Sequence, residues 1–201
     1  EENFLGEYET YIQDGSGYLL ASGSSDSFEK ILSFNPSLAR IFNYTVDELK
    51  HKNINSLLPP LLRYEHNKRL AFFATNEDSK DKSSNTFGKV TCVGLKKTGY
   101  IFPLNLTVTI IPGTTTNSLN FLALIKQPPS DSAKPYPIYF LTDTNLDIRN
   151  VSSQAIQVFG INSNNICYKN SNGDNEYINI SLLIKELMNL KDDKRIIENY
   201  K

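Results

Sequence analysis

The stretch Ile41-Phe42-Asn43-Tyr44-Thr45-Val46-Asp47-Glu48-Leu49 constrains this chain more than any other. It reads as the apolar end of one helix, a turn at Asn43-Tyr44 and the capped start of a second helix. In Thr45-Val46-Asp47-Glu48 the threonine hydroxyl can accept from the amide three residues on while Glu48 reaches back, which is a capping box. Asp47 and Glu48 also place negative charge in a first helical turn, where the helix dipole favours it. Upstream the pattern reads as two strands leading into this turn, and downstream as a helix and three strands leaving it.

Residues 1–11 mix acidic side chains with Phe4, Leu5, Tyr8 and Tyr11, a spacing that suits a short amphipathic helix or a lead-in strap. Residues 18–21 and 30–35 predict two strands that pair as a hairpin across a Gly/Ser-rich loop. Asn35 then caps a helix with Pro36 in its first turn, and Leu38, Ile41 and Phe42 share one face of it. Pro59-Pro60 opens a longer helix through Leu62, Arg63, His66, Arg69, Leu70 and Phe73, at roughly the 3.6-residue helical repeat. Residues 76–86 lack a large apolar side chain and read as an exposed loop.

Alternation follows: Val90, Cys92 and Gly94 against Lys89 and Thr91. Lys96-Lys97-Thr98-Gly99 predicts a hairpin turn with glycine free to take a positive φ. In the strand 101–111, Phe102, Leu104, Leu106, Val108 and Ile110 lie on one face. Residues 112–118 form the next turn, 119–125 the last strand of this unit, and 127–132 a linker.

Beyond the linker the pattern starts again. Residues 138–143 and 147–150 read as strands, and Ser152 or Ser153 caps a helix containing Ala155, Ile156, Val158 and Phe159. Phe159-Gly160-Ile161 falls where Phe42-Asn43-Tyr44 fell, which marks an internal repeat. A loop over 162–175 and a helix over 180–190 complete the second copy, with no counterpart of the last three strands, so the chain reads as a piece of a longer protein. The division is a lead-in at 1–16, a first domain at 17–127, a linker at 128–136 and a partial second domain at 137–201.

The 39% hydrophobic and 11% aromatic content suffices for a folded core. A net charge of −1, with both signs interspersed, gives no footprint for nucleic acid or an anionic membrane. No apolar run approaches the ~20 residues of a spanning helix, and no signal peptide opens the chain. Cys92 and Cys167 stand far apart without a CxxC pair, so neither a disulfide framework nor a structural zinc site is expected. Four Asn-x-Ser/Thr triplets, at Asn43, Asn105, Asn150 and Asn179, are read as chance in an Asn-rich chain.

The order β-β-α-α-α-β-β-β, with these motifs, resembles the PAS domain family. Residues 31–35 followed by Leu38 and Phe42 resemble its strand, Asn, then helix ending in Phe-Gly-Tyr, with Asn43 in the place of Gly. Tyr44-Thr45-x-x-Glu48-Leu49 is similar to its Tyr-Thr/Ser-x-x-Glu-Leu signature, and Ile54-x-x-Leu57-Leu58-Pro59 with His66 to its Leu-Met-Pro … His segment. Residues 96–103, Lys-Lys-Thr-Gly-Tyr-Ile-Phe-Pro, resemble Lys-Lys/Arg-x-Gly-x-x-Phe-Pro, with Thr98 where Asp is common. The resemblance covers 17–127 in full and 137–192 in part. Together with the second unit it is also similar to the large multi-pass membrane members of the family from protists, the "tiny macrocysts" type, which implies the cytoplasmic side of a membrane-anchored parent.

The resemblance implies an α+β fold: a five-stranded antiparallel sheet with helices on one face, followed by a second partial PAS-like unit. It implies a sensory or signalling module that binds a small molecule or mediates protein–protein contact and self-association through its sheet face. No catalytic group, no metal site and no nucleic-acid partner is expected; His51 and His66 are the only imidazoles, and no nucleophile elbow or phosphate loop is present. His66 stands where haem-binding members carry their iron ligand, which makes it the candidate cofactor residue and a haem gas or redox sensor one alternative. The plainer reading, a helical histidine bonded to a nearby group, is preferred, because Val90 beside Lys89 stands where haem sensors place a distal Arg. The flavin-reactive Cys of light-sensing members has no counterpart in 51–56, and Cys92 reads as a small core residue. Ligand sensing predicts a cavity of a few hundred cubic ångströms near His66; a structural scaffold predicts a filled core and an apolar outer sheet face.

Overall fold

Asn35 joins the first hairpin to the first helix of the fold. Its Oδ1 accepts from the Tyr18 amide at 3.1 Å and from the Leu38 amide at 3.0 Å, while its Nδ2 donates to the Ser16 carbonyl at 2.9 Å. One buried side chain thus caps the helix and ties the ends of two strands together. A computed structural model describes residues 15–24, 27–75, 86–113, 119–128 and 137–183. The expected lead-in at 1–11 lies outside them, as do 76–85, 129–136 and 184–190. The chain divides into two compact units, Glu1–Lys134 and Pro135–Lys201.

In the first unit, β1 (Gly17–Ser22) and β2 (Ile31–Phe34) form a hairpin, and α1 (Pro36–Ile41) starts at the Asn35 cap. Asn43 takes φ 61° and turns the chain into α2 (Val46–Lys50), whose Thr45–Glu48 capping box forms as the sequence predicts. A 3-10 turn (Ile54–Leu57) leads to α3 (Pro60–Thr75). Then come β3 (Thr86–Leu95), β4 (Ile101–Pro112) and β5 (Leu119–Lys126), with Gly99 at φ 85° in the β3–β4 turn. Thr86 therefore opens a strand and does not close the preceding loop.

All pairings in this sheet are antiparallel, in the order β2-β1-β5-β4-β3, as the α+β PAS fold requires. Leu19, Ala21, Leu104, Ala123 and Ile125 face Leu38, Phe42, Leu49 and Leu57 in one buried cluster. Burying each large side chain of this kind contributes about 1.5–3 kcal/mol. A second cluster of Ile110, Leu119 and Phe121 packs with Leu70 and Phe73 of α3. Tyr64 and Phe72 of α3 are exposed, so its apolar residues do not lie on one face only. No helix among the described residues is long and apolar enough to cross a membrane.

In the second unit, β6 (Phe140–Thr142) and β7 (Ile148–Val151) pair antiparallel, followed by α4 (Ala155–Phe159). Two corrections to the sequence reading apply. Neither Ser152 nor Ser153 supplies a side-chain cap to α4; Ser152 Oγ accepts from the Tyr139 amide at 3.0 Å, which commits it to the strand instead. Residues 162–175 are not all loop, for β8 (Cys167–Lys169) pairs with β9 (Asn175–Tyr177). Asp143 accepts from the Asn145 and Asp147 amides and from Arg149, whose guanidinium stacks 3.7 Å from the Tyr177 ring.

The same spacing separates Glu29 from Leu146, Lys30 from Asp147, Asn35 from Ser152 and Asn43 from Gly160. Glu29 and Leu146 both have φ 66°, and their carbonyls accept from the Ile54 and Ile180 amides. Lys30 bridges Asn53 and Asp147 bridges Asn179, each antiparallel. Asn43 and Gly160 are both left-handed, at 61° and 68°.

Candidate functional site

Between α3 and the inner sheet face lies a cavity of about 90 Å³. Leu57 and Leu58 close one side, His66 and Leu70 project from α3, and Cys92 and Leu104 come from the sheet. His66 and Cys92 are thus brought to one space. Every other side chain around it is apolar. The cavity sits beside His66, where ligand sensing places it, but is several-fold smaller than a few hundred cubic ångströms. Phe42, one of the lining residues, packs against Phe102, ring edge against face at 5.2 Å and 75°. Aromatic pairs of this geometry gain about 0.5–1.5 kcal/mol beyond burial.

His66 is half-buried, and its Nδ1 lies 3.4 Å from Asn67 Oδ1. Burial is the main cause that lowers its pKa, opposed by the Asn67 contact and aided by the Arg69 charge. An imidazole held neutral keeps a lone pair on one nitrogen. Burial likewise raises the Cys92 thiol, so thiolate chemistry is disfavoured there. Cys92 and Cys167 are both free.

A haem does not fit. Pockets that take ligands of drug size run to about 300–1,000 Å³, against about 90 Å³ here. No cluster of three metal-ligating side chains exists among the described residues.

The walls of the cavity are fixed from outside. Lys97, at the β3–β4 turn, donates from its backbone to the Phe42 carbonyl at 3.0 Å and from its ammonium to Glu48. Ala123 of β5 faces the cavity. Val90, on the alternation of Cys92 and Gly94, is 54% exposed and lies beyond the helices' cover. Sequence reasoning did not assign Leu70 a part in limiting this space; the apolar spacing of α3 includes Leu70 but carries no information on volume.

Among solved structures the chain is similar to a PAS domain from Colwellia psychrerythraea, at 12% identity, over 63% of this chain and 98% of that one, with a TM-score of 0.47. It is similar to the PAS domain of the fruit-fly ELK potassium channel, at 18% identity, over 62% and 97%, with a TM-score of 0.43. A domain of a sensory box sensor histidine kinase/response regulator from Geobacter sulfurreducens is 15% identical over 63% and 98%, with a TM-score of 0.44. No curated protein matches the chain. The family described as PAS domain matches residues 15–126, more than half of the sequence. This chain belongs to the PAS domain family.

Proposed function

We propose that the first unit is a non-catalytic sensory module whose cavity takes a small, uncharged, apolar guest. The cavity itself carries this reading: about 90 Å³, lined by apolar side chains apart from His66 and Cys92. Apolar cavities of roughly 150 Å³ bind benzene or xenon, so a guest here has only a few heavy atoms. Binding shifts signalling only insofar as the guest prefers one arrangement of α3 and the sheet over another. The register common to Glu29–Asn43 and Leu146–Gly160 supports a tandem reading, with the second unit the opening part of another PAS-like fold.

The test is xenon-induced chemical shift change in the purified chain, with Ala123→Ile as the filled-cavity variant. Saturable shifts at Leu57, Leu70, Leu104 and Ala123 that vanish in the variant support the reading. Absence of any localised shift in the original chain leaves the unit as an interaction scaffold with a closed core.

A further inference from the structure

A second, open cleft of about 640 Å³ lies where the turn before β2 meets the segment after α2. Three of the side chains around it are lysines, Lys30, Lys50 and Lys52; His51, Asn53, Ser27 and Phe28 complete its walls. We infer that this cleft binds a phosphate-bearing ligand.

The two walls are held together by backbone. Lys30 and Asn53 form an antiparallel bridge, the Ile54 amide donates to the Glu29 carbonyl at 3.1 Å, and the Lys30 amide donates to the Ser27 carbonyl at 3.0 Å. The backbone positions that carry these side chains are therefore fixed relative to one another before a ligand arrives, which removes the backbone part of the ordering cost of binding.

Neutralisation by neighbouring carboxylates is weak. Asp47 meets Lys50 at 3.4 Å, but the two side chains are 92% and 59% exposed, and exposed pairs contribute little. The Glu29 carboxylate, held by Asn55 Nδ2, is not among the side chains that line the cleft. Among the described residues no ion pair involves Lys30, His51 or Lys52. On a chain of net charge −1 this is a local excess of positive charge.

The fold does not impose that charge. Across the equivalent bridge of the second unit, Asp147 stands in the place of Lys30. Lysine ammoniums act as point charges suited to phosphate oxygens, whereas a planar carboxylate gains most from an arginine fork, and none is present here. The volume lies within the range of about 300–1,000 Å³ that takes small-molecule ligands, so the cleft has room for more than one phosphate.

Inorganic pyrophosphate and, in a second arm, phosphatidylcholine vesicles with and without a phosphoinositide are the probes. Pyrophosphate is expected to shift the amides of Lys30 and 50–53 saturably, with binding that weakens as salt is raised. The double variant Lys30→Glu/Lys52→Glu is expected to bind about tenfold more weakly or worse, while Lys68→Glu on the exposed side of α3 binds as the original chain does. Pyrophosphate binding without vesicle binding assigns the site to a soluble phosphate compound. Phosphoinositide-dependent co-flotation that the double variant loses assigns it to a lipid headgroup. Neither response, or responses that the double variant retains, overturns the inference. The xenon measurement reads the apolar cavity separately.

Discussion

Glu48 holds Lys97 across a sequence separation of 49 residues: Lys97 Nζ donates to Glu48 Oε1, and Glu48 Oε2 accepts from the Thr45 amide at 2.9 Å. The carboxylate that closes the capping box of α2 therefore also anchors the tip of the β3–β4 hairpin. The Lys97 amide completes the contact on the Phe42 carbonyl, so the tip is fixed next to the ring that bounds the cavity.

The first prediction follows from that carboxylate. The Lys97 ammonium, and then the Thr45 amide, pull the Glu48 pKa from the usual 4.5 to about 2. A group whose folded pKa is depressed adds stability that is present above its unfolded pKa and is lost as pH falls through the folded value. Stability should therefore decline from about pH 4.5 towards pH 2, and Glu48→Gln should flatten that part of the profile. Urea midpoints across this range decide it, and a variant with the same slope as the original chain rules the linkage out.

Which contacts were legible depended on their range. The capping box and the Asn35-Pro36 helix start are local patterns of four residues or fewer, and both formed as read. The Glu48–Lys97 pair and the three-lysine cleft assemble from separate segments, and no periodicity encodes them. Ser152 had the composition of a helix cap but was taken by the Tyr139 amide. The β8–β9 hairpin hid in an Asn-rich stretch whose strands carry little apolar surface. His66 was pointed to by the family resemblance and lines the cavity, whereas the cavity's volume depends on side chains from several separate segments, which no local pattern encodes.

The second prediction concerns Gly94. A Cβ there would lie 2.7 Å from Leu104 Cδ2, 2.8 Å from Phe42 Cε1 and 2.9 Å from Phe102 Cε1. Two of these neighbours are ring atoms of one packed pair and have little freedom to withdraw. Gly94→Ala should destabilise the first unit by about 1–3 kcal/mol, the range of an overpacked core. Equilibrium unfolding in urea measures it; an unchanged midpoint would mean that the ring pair yields freely.

The third prediction uses His66. Burial depresses its pKa below the ordinary histidine value, so between the two values the unfolded chain binds more protons than the folded one. Stability should rise with pH up to the ordinary value and fall as the solution is acidified below it. His66→Gln should lose this dependence. Histidine ring shifts followed by NMR titration give the folded pKa directly; a value equal to that of the urea-unfolded chain would abolish the dependence, and a higher one would reverse its sign.

The fourth prediction tests the latch common to the two units. Asn35→Ala removes a cap and leaves the Tyr18 amide and the Ser16 carbonyl without this partner, a loss of about 2–3 kcal/mol. Ser152→Ala removes one acceptor from the Tyr139 amide and should cost about 1 kcal/mol. Because the two serve the same role at the start of β1 and beside β6, each substitution should raise amide exchange at its own tyrosine. Asn35→Ala should expose Tyr18, and Ser152→Ala should expose Tyr139. Protection at Tyr139 that is insensitive to Ser152→Ala would show that the second hairpin is held by other contacts, and the parallel between Asn35 and Ser152 would then be one of position without energetic consequence.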